Sequence, residues 1–267
     1  MILLIDAGNT RIKIGWLDIA TGRREDAALA LRHVDVAELA LRTKQLAFTP
    51  IAAIGVNVAG ASVARDLAET LQRLHSLEIR WVHSGRMAGG ITNAYEVPEQ
   101  LGADRWVSMM GLARHTDEAA MLATFGTATT LDTLGPKDNE QGTRLFHGGL
   151  ILPGPALMRS SLAAGTANLP EGNGEAVAFP IHTHQAIATG IAAAQAGALL
   201  RQWREGLERF GVPPMVYSAG GGWDMIEDEA QRLLTKARKD LGLAAEPIRW
   251  LPNPVLDGLA SLAPELL

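Results

Sequence analysis

The sequence of 267 residues contains no cysteine, no long apolar run and no excess of positive charge. The lack of cysteine excludes disulfides and thiolate metal sites, and it fits a reducing compartment. No apolar stretch approaches the ~20 residues that span a bilayer. A formal net charge of −5 gives the surface no general attraction for nucleic acid or for anionic membranes. We therefore expect a cytoplasmic protein that binds neither nucleic acid nor membranes.

Hydrophobic residues make up 47% of the chain, which is enough for one large domain or two small ones. Strand-like segments alternate with segments whose apolar residues recur at helical spacing. The sequence predicts strands at 51–57, 119–125 and 214–219, a loop at 85–106, a helix capped by Ser62, and helices from Ala103 to Arg114 and from Thr183 to Phe210. This alternation predicts an α/β fold.

The stretch "LLIDAGNTRIKIGWLD" (residues 3–18) is the first specific signal. An apolar run ends at Asp6, a turn follows at Gly8, and a period-2 run begins at Arg11, so the pattern predicts a β-hairpin. The backbone N–H groups of a glycine turn bind phosphate well, and a nearby carboxylate can hold Mg²⁺ through water. Lys13 would add a positive charge for phosphate. Taken alone, the hairpin equally fits a turn in which Asp6 is only a capping side chain.

A second hairpin signal changes that balance. The segment "LIDAGNTRIKI" (4–14) aligns with "LATFGTATTLD" (122–132), which places Gly8 on Gly126 and Asn9 on Thr127. Two matching glycine turns, one in each half of the chain, indicate a duplicated domain. We accordingly predict one domain at 1–117 and a similar domain at 118–267, and we favour phosphate binding over simple turn capping.

Four motifs carry a family resemblance: "DAGNTRIK", "NAYEVPEQLGADR", "FGTATTLD" and "GGLILPG". In this order they resemble the type III pantothenate kinases of the acetate and sugar kinase/heat-shock ATPase/actin superfamily. The resemblance implies two ribonuclease-H-like domains with the nucleotide in the cleft between them. It also implies ATP-dependent phosphorylation of pantothenate to 4'-phosphopantothenate, the first step of coenzyme A biosynthesis, by a homodimer.

The resemblance also implies roles for individual residues. Asp104 would be the catalytic base. The pantothenate pocket would contain Tyr95, Gly102, Ala103, Asp104, Arg105 and, in a looser motif, Thr183. The ATP phosphates would be bound by Asp6, Ala7, Gly8, Asn9, Thr10, Arg11, Ile12, Lys13 and Thr127, with Mg²⁺ on Asp6 and the adenosine near Gly220, Gly221 and Gly222.

The chemistry of "LGADR" is consistent with that role. Asp104 is expected in the first turn of a helix, where the helix dipole favours a carboxylate. Such a carboxylate orients a hydroxyl and accepts its proton late in phosphoryl transfer. The alternative is a carboxylate that only caps the helix or forms a salt bridge. For Arg105, substrate binding and an interior ion pair are equally compatible with the sequence.

One position departs from the family pattern. Many members carry an aspartate in the second hairpin that is linked to a required monovalent cation such as K⁺ or NH₄⁺. Thr124 stands there in this sequence, and the repeat alignment places Thr124 opposite Asp6 of the first hairpin. A threonine hydroxyl brings no negative charge, so the sequence predicts little dependence on a monovalent cation.

Two other functions remain open from the sequence. The same fold would suit a kinase for another acceptor, such as a sugar or a carboxylate, or a polyphosphate-cleaving hydrolase, although those relatives lack "NAYEVPEQLGADR". The second is a nucleotide-binding accessory regulator of transcription without turnover. The presence of Asp6, Lys13 and Asp104 argues against an inactive enzyme.

Overall fold

The computed structural model describes residues 1–32 and 48–266. They form two compact units. The first unit comprises Met1–Asp117, Asp138–Phe146 and Asn253–Leu267, and the second comprises Glu118–Lys137 and His147–Pro252. The two-domain division at 117/118 stays a prediction, and these units differ from it by placing 138–146 and the C-terminal segment with the first unit.

The described strands are β1 (Ile2–Ala7), β2 (Arg11–Asp18), β3 (Arg23–Arg24), β4 (Leu29–Arg32), β5 (Ala52–Asn57), β6 (Ile79–Trp81), β7 (Met87–Ala88), β8 (Ile91–Asn93), β9 (Ala120–Phe125), β10 (Ala128–Leu134), β11 (Arg144–Pro153), β12 (Met215–Ala219) and β13 (Arg249–Trp250). The described α-helices are α1 (Ala61–His75), α2 (Ala103–Ala113), α3 (Pro155–Gly165), α4 (Thr183–Phe210), α5 (Glu227–Asp240) and α6 (Pro254–Leu266). Short 3-10 turns occur at Pro98–Gln100 and Trp223–Met225.

The sheet of the first unit has the order β3-β2-β1-β5-β6, and β4 also pairs with β2. Strands β1 and β2 form the predicted antiparallel hairpin, while β5 runs parallel to β1. Strand β1 is buried along most of its length because it has a neighbour on each side. Its side chains Leu3 and Ile5 pack in one core with Leu67 of α1.

The predicted cap of α1 was wrong by two positions. The helix begins at Ala61 with Gly60 as its N-cap, and no side chain caps it. Ser62 therefore lies inside the first turn. The buried residues Val63, Leu67 and Leu71 do follow the predicted helical spacing.

The second unit repeats the arrangement of the first. Its strands run in the order β13-β12-β9-β10-β11, with β9 and β10 antiparallel and with β12 parallel to β9. The order β10-β9-β12-β13 thus corresponds to β2-β1-β5-β6, as a duplicated fold requires. The second turn is tighter, because the N–H of Gly126 bonds to the carbonyl of Ala128, whereas the N–H of Gly8 bonds to the carbonyl of Arg11.

Helix α4 has the predicted bounds, Thr183–Phe210, and it supplies much of the second core. Its small and apolar side chains, including Ala192, Ala196 and Trp203, are almost fully buried against the sheet and α5. Gly211 ends the helix in the left-handed region, at φ 70°. Within the described residues, no helix is both long and apolar enough to cross a bilayer.

Helices α2 and α6 approach each other closely in the first unit. A Cβ atom on Gly111 would lie 2.0 Å from the carbonyl oxygen of Pro254, and one on Gly258 would lie 1.9 Å from that of Val107. Both contacts are with backbone, which cannot move as the end of a side chain can. Glycine at these two positions therefore allows α6 to lie directly against the helix that begins at the "GADR" motif.

We expect Gly258→Ala to lower the free energy of unfolding by roughly 3 kcal/mol, because the added methyl group must push the two helices apart. Gly165→Ala is the matched control, since a Cβ atom on this exposed helical glycine would have no neighbouring atom within 4 Å. The control should change stability by no more than about 1 kcal/mol, and in the stabilising direction. Urea denaturation of the three proteins measures the difference; equal midpoints for Gly258→Ala and the wild type would contradict the close packing.

Candidate active site

Asp6 lies near the end of β1, directly opposite Lys13 of β2. Burial raises the pKa of the Asp6 carboxyl from its ordinary value of 3.8 to about 6. The positive charge of Lys13 lowers this pKa, and the charge of Asp104 raises it further. The first unit thus brings the strand-end carboxylate and the carboxylate of "LGADR" close enough to repel each other.

Asp104 occupies the first turn of α2, as the sequence predicts. The N-cap is Gly102, where a Cβ atom would lie 2.7 Å from Asp104 Oδ1. That oxygen accepts a hydrogen bond of 2.8 Å from the N–H of Arg105. Gly102 therefore leaves room for the carboxylate beside the helix N-terminus. The bond to Arg105 is a local contact of the kind that the capping alternative predicts.

Arg105 is almost fully buried, and its Nη1 donates a hydrogen bond of 3.0 Å to the hydroxyl oxygen of Tyr95. The ring of Tyr95 stacks on Phe146, with ring centroids 6.0 Å apart. The structure therefore brings Tyr95 to the start of α2, beside Gly102, Ala103 and Asp104. These are the residues of the first unit that the family resemblance assigns to the pantothenate pocket.

The sequence interpretation missed the residue that organises this loop. Asn93 is completely buried. Its Nδ2 donates to the carbonyl oxygens of Gly85 (3.2 Å) and Pro98 (3.4 Å), and its Oδ1 accepts from the N–H of Tyr95 (3.0 Å). The motif "NAYEVPEQ" begins with this asparagine, which was the available signal. The segment predicted as a loop, 85–106, also contains β7, β8 and the start of α2.

In the second unit, the backbone of two glycine-containing segments packs against the turn that follows β9. The N–H of Gly154 donates to the carbonyl of Thr127 (2.9 Å), and a Cβ atom on Gly154 would lie 2.0 Å from the carbonyl oxygen of Gly126. Gly220 has φ +90°, and a Cβ atom there would lie 2.4 Å from the carbonyl oxygen of Phe125. Only glycine fits at these two positions.

This turn has the features of a nucleotide site. It lies at the carboxyl ends of the parallel strands β9 and β12, where ligands of open α/β sheets bind. Helix α3 begins at Pro155, next to the turn, so its N-terminal N–H groups favour an anion. Thr127 and Gly221 are exposed, and a Cβ atom on Gly221 would have no neighbouring atom within 4 Å. A backbone cradle without side chains therefore fits the phosphates and sugar of a nucleotide.

Thr183 is the first residue of α4, and its side chain is exposed. It lies on the wall of a cavity of about 660 Å³ in the second unit, together with apolar residues such as Met158, Leu162 and Ile187. His182 caps the helix by accepting a hydrogen bond from the N–H of Gln185 (3.4 Å). In the described part of the chain, no group of three or more metal-ligating side chains is found.

Thr124 pairs with Thr130 of β10 and with Ala219 of β12. It is half-buried, and neither of these paired neighbours carries a charge. Asp132 lies further along β10, opposite Leu122, and its side chain is buried. The register therefore places no carboxylate opposite Thr124.

The model of the type III pantothenate kinase family matches residues 2–205. A type III pantothenate kinase of Bordetella pertussis is 49% identical over 268 residues, covering 98% of this chain and 97% of its own. Among solved structures, a proposed 2-dehydro-3-deoxygalactonokinase from Sinorhizobium meliloti has a TM-score of 0.52 at 15% identity, with full coverage of both chains. A proposed Baf family transcriptional activator from Campylobacter jejuni has a TM-score of 0.50 at 16% identity, covering 90% of this chain and 98% of its own. At such low identities the two structures show the fold alone, and they confirm the α/β fold with two similar units.

We expect Asp6→Asn to stabilise the protein at pH 8 in buffer without Mg²⁺. The folded pKa of about 6 exceeds the ordinary 3.8, so the folded wild type holds its proton more tightly, and its stability falls as pH rises through this interval. Removing the ionisable group should therefore raise the free energy of unfolding by roughly 1–3 kcal/mol at pH 8 and by little below pH 4. Exposed Asp66 provides the control variant Asp66→Asn. Parallel pH profiles of unfolding for Asp6→Asn and the wild type would contradict the burial of this carboxylate.

Proposed function

The chain belongs to the type III pantothenate kinase family and uses ATP to phosphorylate pantothenate, and we propose that Asp104 is the base that receives the proton of the pantothenate hydroxyl. The observation that carries this assignment is the grouping of Asp104, Arg105 and Tyr95 in one place at the start of α2. Phosphoryl transfer needs positioning and charge neutralisation more than covalent catalysis. A carboxylate beside a helix N-terminus suits a base that orients the hydroxyl and takes its proton late.

Pantothenate is proposed to bind at Tyr95, Gly102, Ala103, Asp104 and Arg105, and at Thr183 in the second unit. Arg105 supports this role because its guanidinium is buried and donates a hydrogen bond to the Tyr95 hydroxyl at the start of α2. Buried guanidinium donors suit a substrate that carries a carboxylate and several oxygen acceptors. The primary hydroxyl of the substrate would then be oriented by Asp104.

The ATP phosphates are proposed to contact the first hairpin from Asp6 to Lys13, and Thr127, with the adenosine at Gly220–Gly222. The support is the backbone cradle formed by Gly126, Gly154 and Gly220. Mg²⁺ fits Asp6, because a carboxylate whose charge is disfavoured by burial is stabilised by a cation. When bound, Mg²⁺ would neutralise phosphate charge while keeping most of its water ligands.

We also propose that the enzyme works in the cytoplasm as a homodimer. Large apolar side chains that are strongly exposed, Phe179 and Ile181, support an interface with a second copy. The small residues of 186–198 support close helix packing. Sedimentation at micromolar concentration tests this, and a fully active monomer would contradict it. No contact or charge in the described residues favours the alternative role as a transcriptional regulator.

Asp104→Asn should lower turnover by about 10²–10⁴-fold, since the amide cannot accept the proton of the hydroxyl. The measurement is ADP release from ATP with saturating pantothenate, and with sugars, acetate and polyphosphate as comparison acceptors. Thermal unfolding and ADP binding should stay close to those of the wild type. Asp66→Asn again serves as the control. Normal turnover of Asp104→Asn would rule out its role, and wild-type ADP release that does not depend on pantothenate would rule out the proposed reaction.

The enzyme should show little dependence on K⁺ or NH₄⁺. Thr124 replaces a carboxylate, and two unit charges 4 Å apart interact by roughly 4 kcal/mol at an effective dielectric near 20. Activity is measured in buffer free of sodium and potassium and is titrated with K⁺ at constant ionic strength. Thr124→Asp is the informative variant, since it should create a K⁺ response. A rise of tenfold or more in the wild type, about 1.4 kcal/mol in the barrier, would show that the site survives without the carboxylate.

A further inference from the structure

The loop that carries Tyr95 is closed at its base. The buried hydroxyl of Ser84 donates a hydrogen bond of 2.6 Å to the carbonyl oxygen of Leu101, which is the residue before Gly102. The chain therefore leaves and returns at neighbouring points, immediately before α2. Residues 85–101 lie between these two points. The end of this segment fixes where α2 begins and therefore where Asp104 lies, so the order within the segment matters to the proposed site.

Two side chains hold this loop from opposite sides. Asn93 holds it from inside, through its contacts to Gly85, Tyr95 and Pro98. Arg86 holds it from outside. Its Nη1 donates to the carbonyl oxygens of Asn93 and Tyr95, both at 2.9 Å, and its Nη2 donates to that of Glu96 at 3.2 Å.

Arg86 is itself fixed in place by the backbone. Its carbonyl oxygen accepts a hydrogen bond of 2.9 Å from the N–H of Asn93, which joins the two ends of the short β7–β8 segment. A planar guanidinium with several donors can bridge carbonyls in this way, whereas a lysine ammonium offers one compact group. Arg86 is exposed, so these bonds add little to the buried core of the unit.

The result is that Tyr95 is fixed at every polar group of its backbone and side chain. Its N–H bonds to Asn93, its carbonyl to Arg86, and its hydroxyl to Arg105, while its ring stacks on Phe146. A binding residue held in advance avoids the entropy cost of ordering it when the substrate arrives.

We propose that Arg86 is a positioning residue for pantothenate binding, which acts through Tyr95 by clamping the carbonyls of Asn93, Tyr95 and Glu96. This inference rests on the proposed function, because it takes Tyr95 as a residue of the pantothenate pocket. Arg86 does not contact the substrate in this role, since its guanidinium is turned towards the loop. Its contribution is to binding rather than to the transfer step.

Steady-state kinetics of Arg86→Met and Arg86→Lys provide the test. Arg86→Met should raise the KM for pantothenate about tenfold, which is about 1.4 kcal/mol, with kcat and the KM for ATP within about twofold of the wild type. Arg86→Lys should lie between the two, because it keeps one donor group. Arg65→Met is the matched control, an exposed arginine on α1 in the same unit, and it should change none of these constants.

A double-mutant cycle with Tyr95→Ala separates positioning from general loosening. If Arg86 acts through Tyr95, adding Arg86→Met to Tyr95→Ala should raise the KM by less than about twofold further. The same tenfold increase in both backgrounds would overturn the proposal. An unchanged KM in Arg86→Met, or a loss confined to kcat, would overturn it as well.

Hydrogen exchange gives a readout that does not depend on turnover. Arg86→Met should accelerate exchange of the Tyr95 amide, while amides of the distant helix α1 keep their rates and the melting temperature stays within a few degrees. Unchanged exchange at Tyr95 would refute the clamp. A wild type that lacks pantothenate-dependent ADP release would instead refute the proposed function, and the exchange result would still decide whether the clamp exists.

Discussion

A carboxylate at the end of a buried strand is the constraint on which the proposed active site depends. Strand β1 has a neighbour on each side, so Asp6 emerges half-buried from the middle of a sheet, where burial disfavours its charged form. Lys13, the partner of Asp6 across the hairpin, offsets part of the free-energy cost of ionising Asp6, and the charge of Asp104 adds to that cost. Placing two carboxylates near each other is unfavourable for the protein alone and favourable once cationic ligands are present. The first unit therefore carries an unfavourable arrangement of charge that a cation bound at Asp6 would relieve.

The proposed binding residues in the first unit are held by hydrogen bonds and close backbone contacts rather than by a large apolar pocket. Tyr95 is positioned by Asn93 and Arg105, and Asp104 is accommodated by the lack of a side chain at Gly102. The second unit uses the same principle at its glycine turn. Contacts of this kind fix distances closely, and phosphoryl transfer depends on such alignment.

The sequence predicted the parts of the fold that have a local pattern. The alternation of Arg11 to Leu17 predicted β2, and the Ala-rich periodicity predicted α4 with its correct bounds. Strand β11 was missed because Gly148, at φ +97°, and Pro153 interrupt its alternating pattern. Helix α3 was missed because it begins with Pro155. The roles of Asn93 and Arg86 depend on contacts with carbonyl groups, which no spacing of side chains reveals. Helix α6 belongs to the first unit through long-range contacts, which the sequence pattern does not reveal either.

That membership has a consequence for the order in which the chain is made. Helix α2 packs on α6, and about 140 residues separate the two along the chain. During translation α2 is made long before α6, so the first unit keeps an apolar face of α2 uncovered until the C-terminal segment follows. Asp104's surroundings are completed only when synthesis reaches the C-terminal segment. A chain interrupted before Pro254 would thus leave the first unit without the helix that packs on α2, and the apolar face left exposed would favour aggregation.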